Sequence, residues 1–159
     1  MDDFLSPDAT SQLVREARES SAGWLIQRLA GQLDRAMDQA LEPHGLNIQS
    51  FAIVMTALEH DGLTQKQIGS RFKAPAYTIT RSIDGLEKEG FLERRPHPTS
   101  RRTNTVHPSQ KARELAPQLV AVIRQVNERL LSAFAIDEAE ELRAHMRVML
   151  DNNELAKGP

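Results

Sequence analysis

The sequence has no cysteine, few aromatic residues and no long apolar run. Without cysteine there is no disulfide, no thiolate metal site and no thiol redox switch, a composition compatible with a reducing compartment. Aromatics make up only 4% of the chain, so a core must come from helix packing of Leu, Ile, Val, Ala and Met. No stretch approaches the roughly 20 apolar residues that cross a bilayer. The acidic start, Asp2 and Asp3, also lacks the basic region of a secretory signal. We therefore expect a soluble cytoplasmic protein with no membrane partner. No phosphate-binding loop or nucleophile motif is present, so an enzyme is not expected. The histidines His44, His60, His97, His107 and His145 are scattered, with no His-x3-His pair, so no metal and no cofactor is expected.

What the chain does have is charge of one sign in one place. Residues 71–113 carry ten basic residues against four acids, a local charge of +6 in a chain whose total is −2. A phosphate backbone responds to such a patch rather than to the overall balance, and the patch points to nucleic acid.

At 159 residues the chain is long enough for one domain with helical extensions. Residues 1–12 are polar and read as loosely helical at most. From Leu13 a helical pattern develops, clearest in Leu25, Leu29, Leu33, Met37 and Leu41, until Pro43 and Gly45 stop it. A short buried helix follows, carrying Phe51, Ile53, Val54, Ala57 and Leu58, opened by Asn47 or Gln49 and closed by Asp61-Gly62. Thr64-Gln65-Lys66-Gln67 has the form of a capping box and opens a helix through Phe72. Lys73-Ala74-Pro75 then makes a tight connection, with Pro75 suited to the first turn of a second helix that buries Ile79, Ile83 and Leu86 and stops at Gly90. Two short helices joined in this way form a helix-turn-helix candidate. Extended segments at Phe91–Arg95 and Thr103–His107 flank a Pro- and Ser-containing basic loop, a hairpin pattern. Ser109 caps a long helix with Leu115, Leu119, Val122, Val126 and Leu130 on one stripe. Asp137-x-x-Glu140 opens a last helix with Leu142, Met146, Met149 and Leu150. The fold class is mainly α with a small β-hairpin wing.

The order helix, helix, helix-turn-helix, basic hairpin, long helix resembles the MarR family of winged helix-turn-helix transcriptional regulators over about residues 20–150. The carriers are Gly62-Leu63-Thr64-Gln65-Lys66-Gln67-Ile68, Thr78-Ile79-Thr80-Arg81, Leu86-Glu87-Lys88-Glu89-Gly90-Phe91-Leu92-Glu93-Arg94 and Arg101-Arg102. The resemblance implies a homodimer with a dimerisation helix in 13–45, a winged helix-turn-helix domain in 46–108 and further dimerisation helices in 109–152. It implies binding to a pseudopalindromic double-stranded DNA operator, with recognition helices about 34 Å apart, and repression relieved by a small aromatic or phenolic ligand. The wing departs from the family: Ser100 stands where an acid often precedes the wing-tip arginine, and His97 where Asp is common. A more positive and less rigid tip is expected.

The second helix of the motif should present Ala76, Tyr77, Thr78, Thr80 and Arg81 to base edges, since Ile79 and Ile83 point inward. Arg81 either bonds guanine bidentately, pairs with Asp84 or holds a phosphate. Arg94, Arg95, Arg101 and Arg102 read as four wing arginines without a matching acid. Arg101 or Arg102 would enter the minor groove, and Arg94, Arg95 and Lys73 would take phosphates. Trp24, His44, Phe51 and Met55 are the candidate ligand residues, with core packing the competing role. The alternatives are a ligand-independent architectural DNA-binding protein and an enzyme.

Overall fold

The computed structural model describes residues 6–152, apart from the side chains of Pro7, Arg101 and Arg102. Helix α1 spans Pro7–Glu19, where Ser6 Oγ accepts from the Ala9 amide and Pro7 occupies the first turn. The expected loose segment 1–12 is thus helical from Pro7 onward, because a serine cap followed by proline is a strong local start. The pattern that begins at Leu13 is split in two. Ser20 turns its hydroxyl back onto the Glu16 carbonyl, and Ser21 Oγ accepts from the Trp24 amide, opening α2 at Ala22–Leu41.

A 3₁₀ turn at Glu42–His44 and left-handed Gly45 lead into α3, Ile48–Glu59, capped by Asn47. The Ile48 amide donates to Asp38 at 2.7 Å, tying the start of α3 to the end of α2. Then come β1 (Leu63–Thr64), α4 (Gln65–Phe72), α5 (Ala76–Lys88), β2 (Leu92–His97), β3 (Ser100–Pro108), α6 (Gln110–Leu130) and α7 (Ile136–Asp151).

The sheet is antiparallel in the order β1-β3-β2, with Leu63 opposite Val106 and Arg94 opposite Val106 on the other side. The expected hairpin is therefore longer than 91–95 and 103–107, and a third strand joins it. His97 pairs with Ser100, so the turn itself is only Pro98-Thr99. Ser109 caps α6 as expected, its Oγ accepting from the Ala112 amide and donating to the Gly90 carbonyl. Pro117 lies inside α6 and supplies no amide to the carbonyl of Arg113. In α7 the reciprocal cap is displaced from Asp137: Glu138 reaches back to the Ala135 amide at 2.8 Å.

One continuous core joins Met37 and Leu41 of α2, the α3 residues Ile53, Val54 and Ala57, Ile68 of α4, Ile79, Ile83 and Leu86 of α5, Phe91, Val106, and Leu119, Val122 and Val126 of α6. Ile83 is fully enclosed. Ile83→Ala should lower stability by about 2–5 kcal/mol, read as a reduced urea midpoint with an unchanged m-value.

Candidate nucleic-acid interface

The interface is built from α4 outward. The Thr64 hydroxyl accepts from the Gln67 amide at 3.3 Å while Gln67 Oε1 accepts from the Thr64 amide at 2.8 Å, so the expected capping box forms. At the other end Lys73 adopts φ 49°, the one non-glycine residue with positive φ among the described residues. That conformation lets the Lys73 and Ala74 amides both reach the Gly69 carbonyl and turns the chain into α5. A lysine in a backbone region that suits glycine points to a use for its side chain.

Pro75 is the residue before α5 and brings no side-chain cap, so the first amides of α5 are not covered by one. Such an uncapped start is attractive to anions. Burial of Ile79, Ile83 and Leu86 turns Ala76, Tyr77, Thr80 and Arg81 to solvent, with Thr78 half-buried. Tyr77 is 76% exposed. The Thr80 hydroxyl donates to the Ala76 carbonyl at 2.9 Å. Arg81 makes no ion pair among the described residues, and the pairing with Asp84 does not form because Asp84 holds Arg94.

A cleft of about 460 Å³ between α4 and α5 brings Lys73, Ala76 and Thr80 together with Gln65, Lys66 and Ser70. The Gln65 amide nitrogen is buried without a hydrogen-bond partner. A second open cleft, about 560 Å³, lies between α4 and the wing and adds Arg71 and His97 to Lys66 and Ser70. Lys66, Ser70 and Arg71 were not among the expected interface residues, although Arg71 belongs to the basic segment.

The reading of four wing arginines without a matching acid is corrected for two of them. Arg94, its side chain 18% exposed, lies 2.5 Å from both Asp84 and Glu87 on α5 and donates its amide to Glu87. These contacts pin the wing to the helix and leave its guanidinium committed. Arg95 forms only an exposed pair with Glu93 at 3.1 Å, of the kind that salt loosens. Arg101 and Arg102 lie on β3 just past the turn, their side chains outside the described residues. Among the described residues the turn is held by the Thr99 amide donating to His97 Nδ1 at 3.2 Å and by a 2.9 Å contact between the Ser100 and Thr103 hydroxyls. The less rigid tip expected from Ser100 and His97 is therefore offset by neutral hydrogen bonds.

The four ligand candidates do not converge within the protomer. Trp24 lies between the guanidinium groups of Arg18 and Arg28, 5.2 and 5.1 Å from the ring centre. It is 17 residues before Leu41 on the same helix, about 25 Å along the axis. Phe51 is buried in the core, Met55 packs against it, and half-buried His44 ends the 3₁₀ turn at the foot of α2. Among the described residues no group of three or more His, Asp or Glu could hold a metal, and no helix is long and apolar enough to cross a membrane.

Lys73→Gly should raise stability by about 1 kcal/mol while weakening duplex DNA binding, opposite signs in thermal melting and in anisotropy. Arg94→Gln should cost about 1–2 kcal/mol of folding stability because it leaves two carboxylates unpaired. Arg95→Gln should stay within about 0.5 kcal/mol of the parent in the same urea titration.

Residues 46–103 match the MarR family profile. Over 133 residues the chain is 25% identical to an uncharacterised HTH-type transcriptional regulator of Bacillus subtilis, YybA, covering 81% of this chain and 89% of that protein. It is 22% identical over 127 residues to the HTH-type transcriptional repressor Rv2887 of Mycobacterium tuberculosis, covering 80% and 91%. A solved MarR transcriptional regulator from Methanosarcina mazei superposes with a TM-score of 0.77 at 24% identity, covering 82% of this chain and 94% of that one. A mutant MarR from E. coli complexed with operator DNA gives 0.72 at 20% identity, covering 80% and 92%. The segment 46–103 thus matches the MarR family, the chain is similar over most of its length to HTH-type transcriptional regulators, and it shares the winged helix-turn-helix fold of solved MarR proteins.

Proposed function

We propose that the chain acts as a homodimeric repressor that reads a pseudopalindromic operator with α5 and grips flanking phosphates and the minor groove with the wing. The observation that carries this is the α5 face: its buried residues leave Ala76, Tyr77, Thr80 and Arg81 exposed beside Lys73 at an uncapped helix start. Arg81 is the base-reading candidate, Arg101 and Arg102 the minor-groove candidates, and Lys66, Arg71, Lys73 and Arg95 the phosphate contacts. Arg94 acts from behind, by holding the wing against α5.

A second copy is supported by apolar surface that one protomer leaves open. Leu13 and Val14 on α1, Leu25, Ile26 and Leu29 on α2, Phe134 in the α6–α7 connection, and Ile136, Val148, Met149 and Leu150 on α7 are between 43% and 87% exposed, more than an isolated soluble monomer tends to carry. These residues lie in 13–45 and 109–152, the segments assigned to dimerisation. Two-fold pairing there would set two α5 helices about one DNA turn apart. Release by a small aromatic or phenolic effector is the regulatory half of the proposal. It is supported by the family resemblance, not by a preformed cluster around Trp24.

Fluorescence anisotropy with the DNA upstream of its own gene and with a scrambled duplex, at two salt concentrations, tests the proposal. Tighter binding to the native fragment by at least about 10³-fold, with two protomers per duplex, is expected. Arg102→Ala should weaken binding to both duplexes and flatten the salt dependence, whereas Arg81→Ala should narrow the difference between them. Equal binding of the parent to both duplexes would replace a specific repressor with an architectural DNA binder.

A further inference from the structure

The turn between α3 and β1 places one carboxylate between two other elements. Asp61 Oδ1 is 2.5 Å from Nδ1 of His107 on β3, and Oδ2 is 2.5 Å from the guanidinium of Arg113 on α6. Gly62, at φ +87°, donates its amide to the Val106 carbonyl at 3.1 Å, and a Cβ there would lie 3.4 Å from the His107 ring. Glycine thus lets the ring rest against the turn. On its far side His107 Nε2 is 2.9 Å from the Thr105 hydroxyl, which is 3.2 Å from the Arg95 carbonyl on β2. The chain Arg113, Asp61, His107, Thr105, Arg95 ties α6, the α3 turn and both wing strands at the root of the hairpin.

The proton count on this chain is informative. Thr105 has one hydroxyl proton, and the Arg95 carbonyl can only accept it. His107 Nε2 must then donate to Thr105, and Nδ1 must donate to the carboxylate. Both ring nitrogens carry protons, so this arrangement belongs to the imidazolium. The other charged group facing the ring is Glu93, opposite His107 across the ladder and engaged by Arg95. If the ring gives up a proton, Nδ1–H stays on the carboxylate and Nε2 becomes an acceptor. The Thr105 hydroxyl then swings to it and leaves the Arg95 carbonyl without that tie.

We infer that Asp61 is a positioning residue for the wing, acting through His107 and Arg113 to hold the root of the hairpin in the place that DNA binding requires. The inference rests on the DNA-binding reading above. Burial alone would push the Asp61 carboxyl up, but its bonds to Arg113 and His107 outweigh this and hold it below its ordinary value of 3.8. The stability it contributes is present above the ordinary carboxylate range and is lost only as pH falls through that lowered value.

Asp61→Asn separates this from simple charge. Removing an acid from the winged unit would tighten DNA binding if net charge alone mattered; a lost wing anchor weakens it. In anisotropy at constant ionic strength, we expect Asp61→Asn to bind at least about 5-fold more weakly than the parent. His107→Gln, which removes the ring that joins Asp61 to Thr105, should weaken binding in the same direction. In the free protein, hydrogen exchange of the β2 and β3 amides should accelerate at least about 5-fold in Asp61→Asn while α3 stays protected. Equal or tighter DNA binding, or unchanged protection of the wing, would overturn the assignment. If the parent binds no duplex, the DNA reading fails by itself, and the exchange rates alone decide the role of Asp61.

Discussion

Burial of Ile79, Ile83 and Leu86 decides everything that α5 can do. These three side chains sit on one stripe of a 13-residue helix and insert into the core shared with α3, α4, the sheet and α6. Because a helix has only one opposite face, the same burial selects Ala76, Tyr77, Thr80 and Arg81 for solvent. The tight connection through left-handed Lys73 and through Pro75 sets the angle at which that face is offered. The wing is then attached to the same helix by Arg94, which ties α5 and the hairpin together.

Pairing leaves net charge unchanged but decides which cations can move onto a phosphate. Within the basic segment, Arg94 and Arg113 are held by carboxylates. Lys111 donates to the Glu89 carbonyl at 2.8 Å with its ammonium over the Phe91 ring. Arg71, Lys73, Arg81 and Lys88 make no ion pair among the described residues, and they lie on or between the two helices of the motif. The basic segment therefore does two jobs, bracing the winged domain from inside and presenting charge outside. A sequence count cannot separate them.

Much of the fold was legible because its signals are local. The Thr64–Gln67 box, the Ser109 cap, Gly90 and the spacing of Ile79, Ile83 and Leu86 each act within a turn or two of chain, and each forms as read. What was not legible depends on partners far away or on signals too short to repeat. Strand β1 is two residues long and carries no periodicity. The break at Ser20-Ser21 interrupts an apolar pattern that continues on both sides. Arg94 finds its acids 7 and 10 residues back on another element, and Asp61 meets His107 and Arg113 across 46 and 52 residues.

Pro117 gives α6 a mechanical character that its length conceals. The helix begins against the wing root, through Ala112 and Arg113, and ends against α2, through Leu119, Val122 and Val126. The missing rung between Arg113 and Pro117 falls where those two attachments meet, so the strut is most compliant at the junction of the winged half and the helical half. Bending at that joint would pivot the winged unit against the helices without disturbing its internal packing.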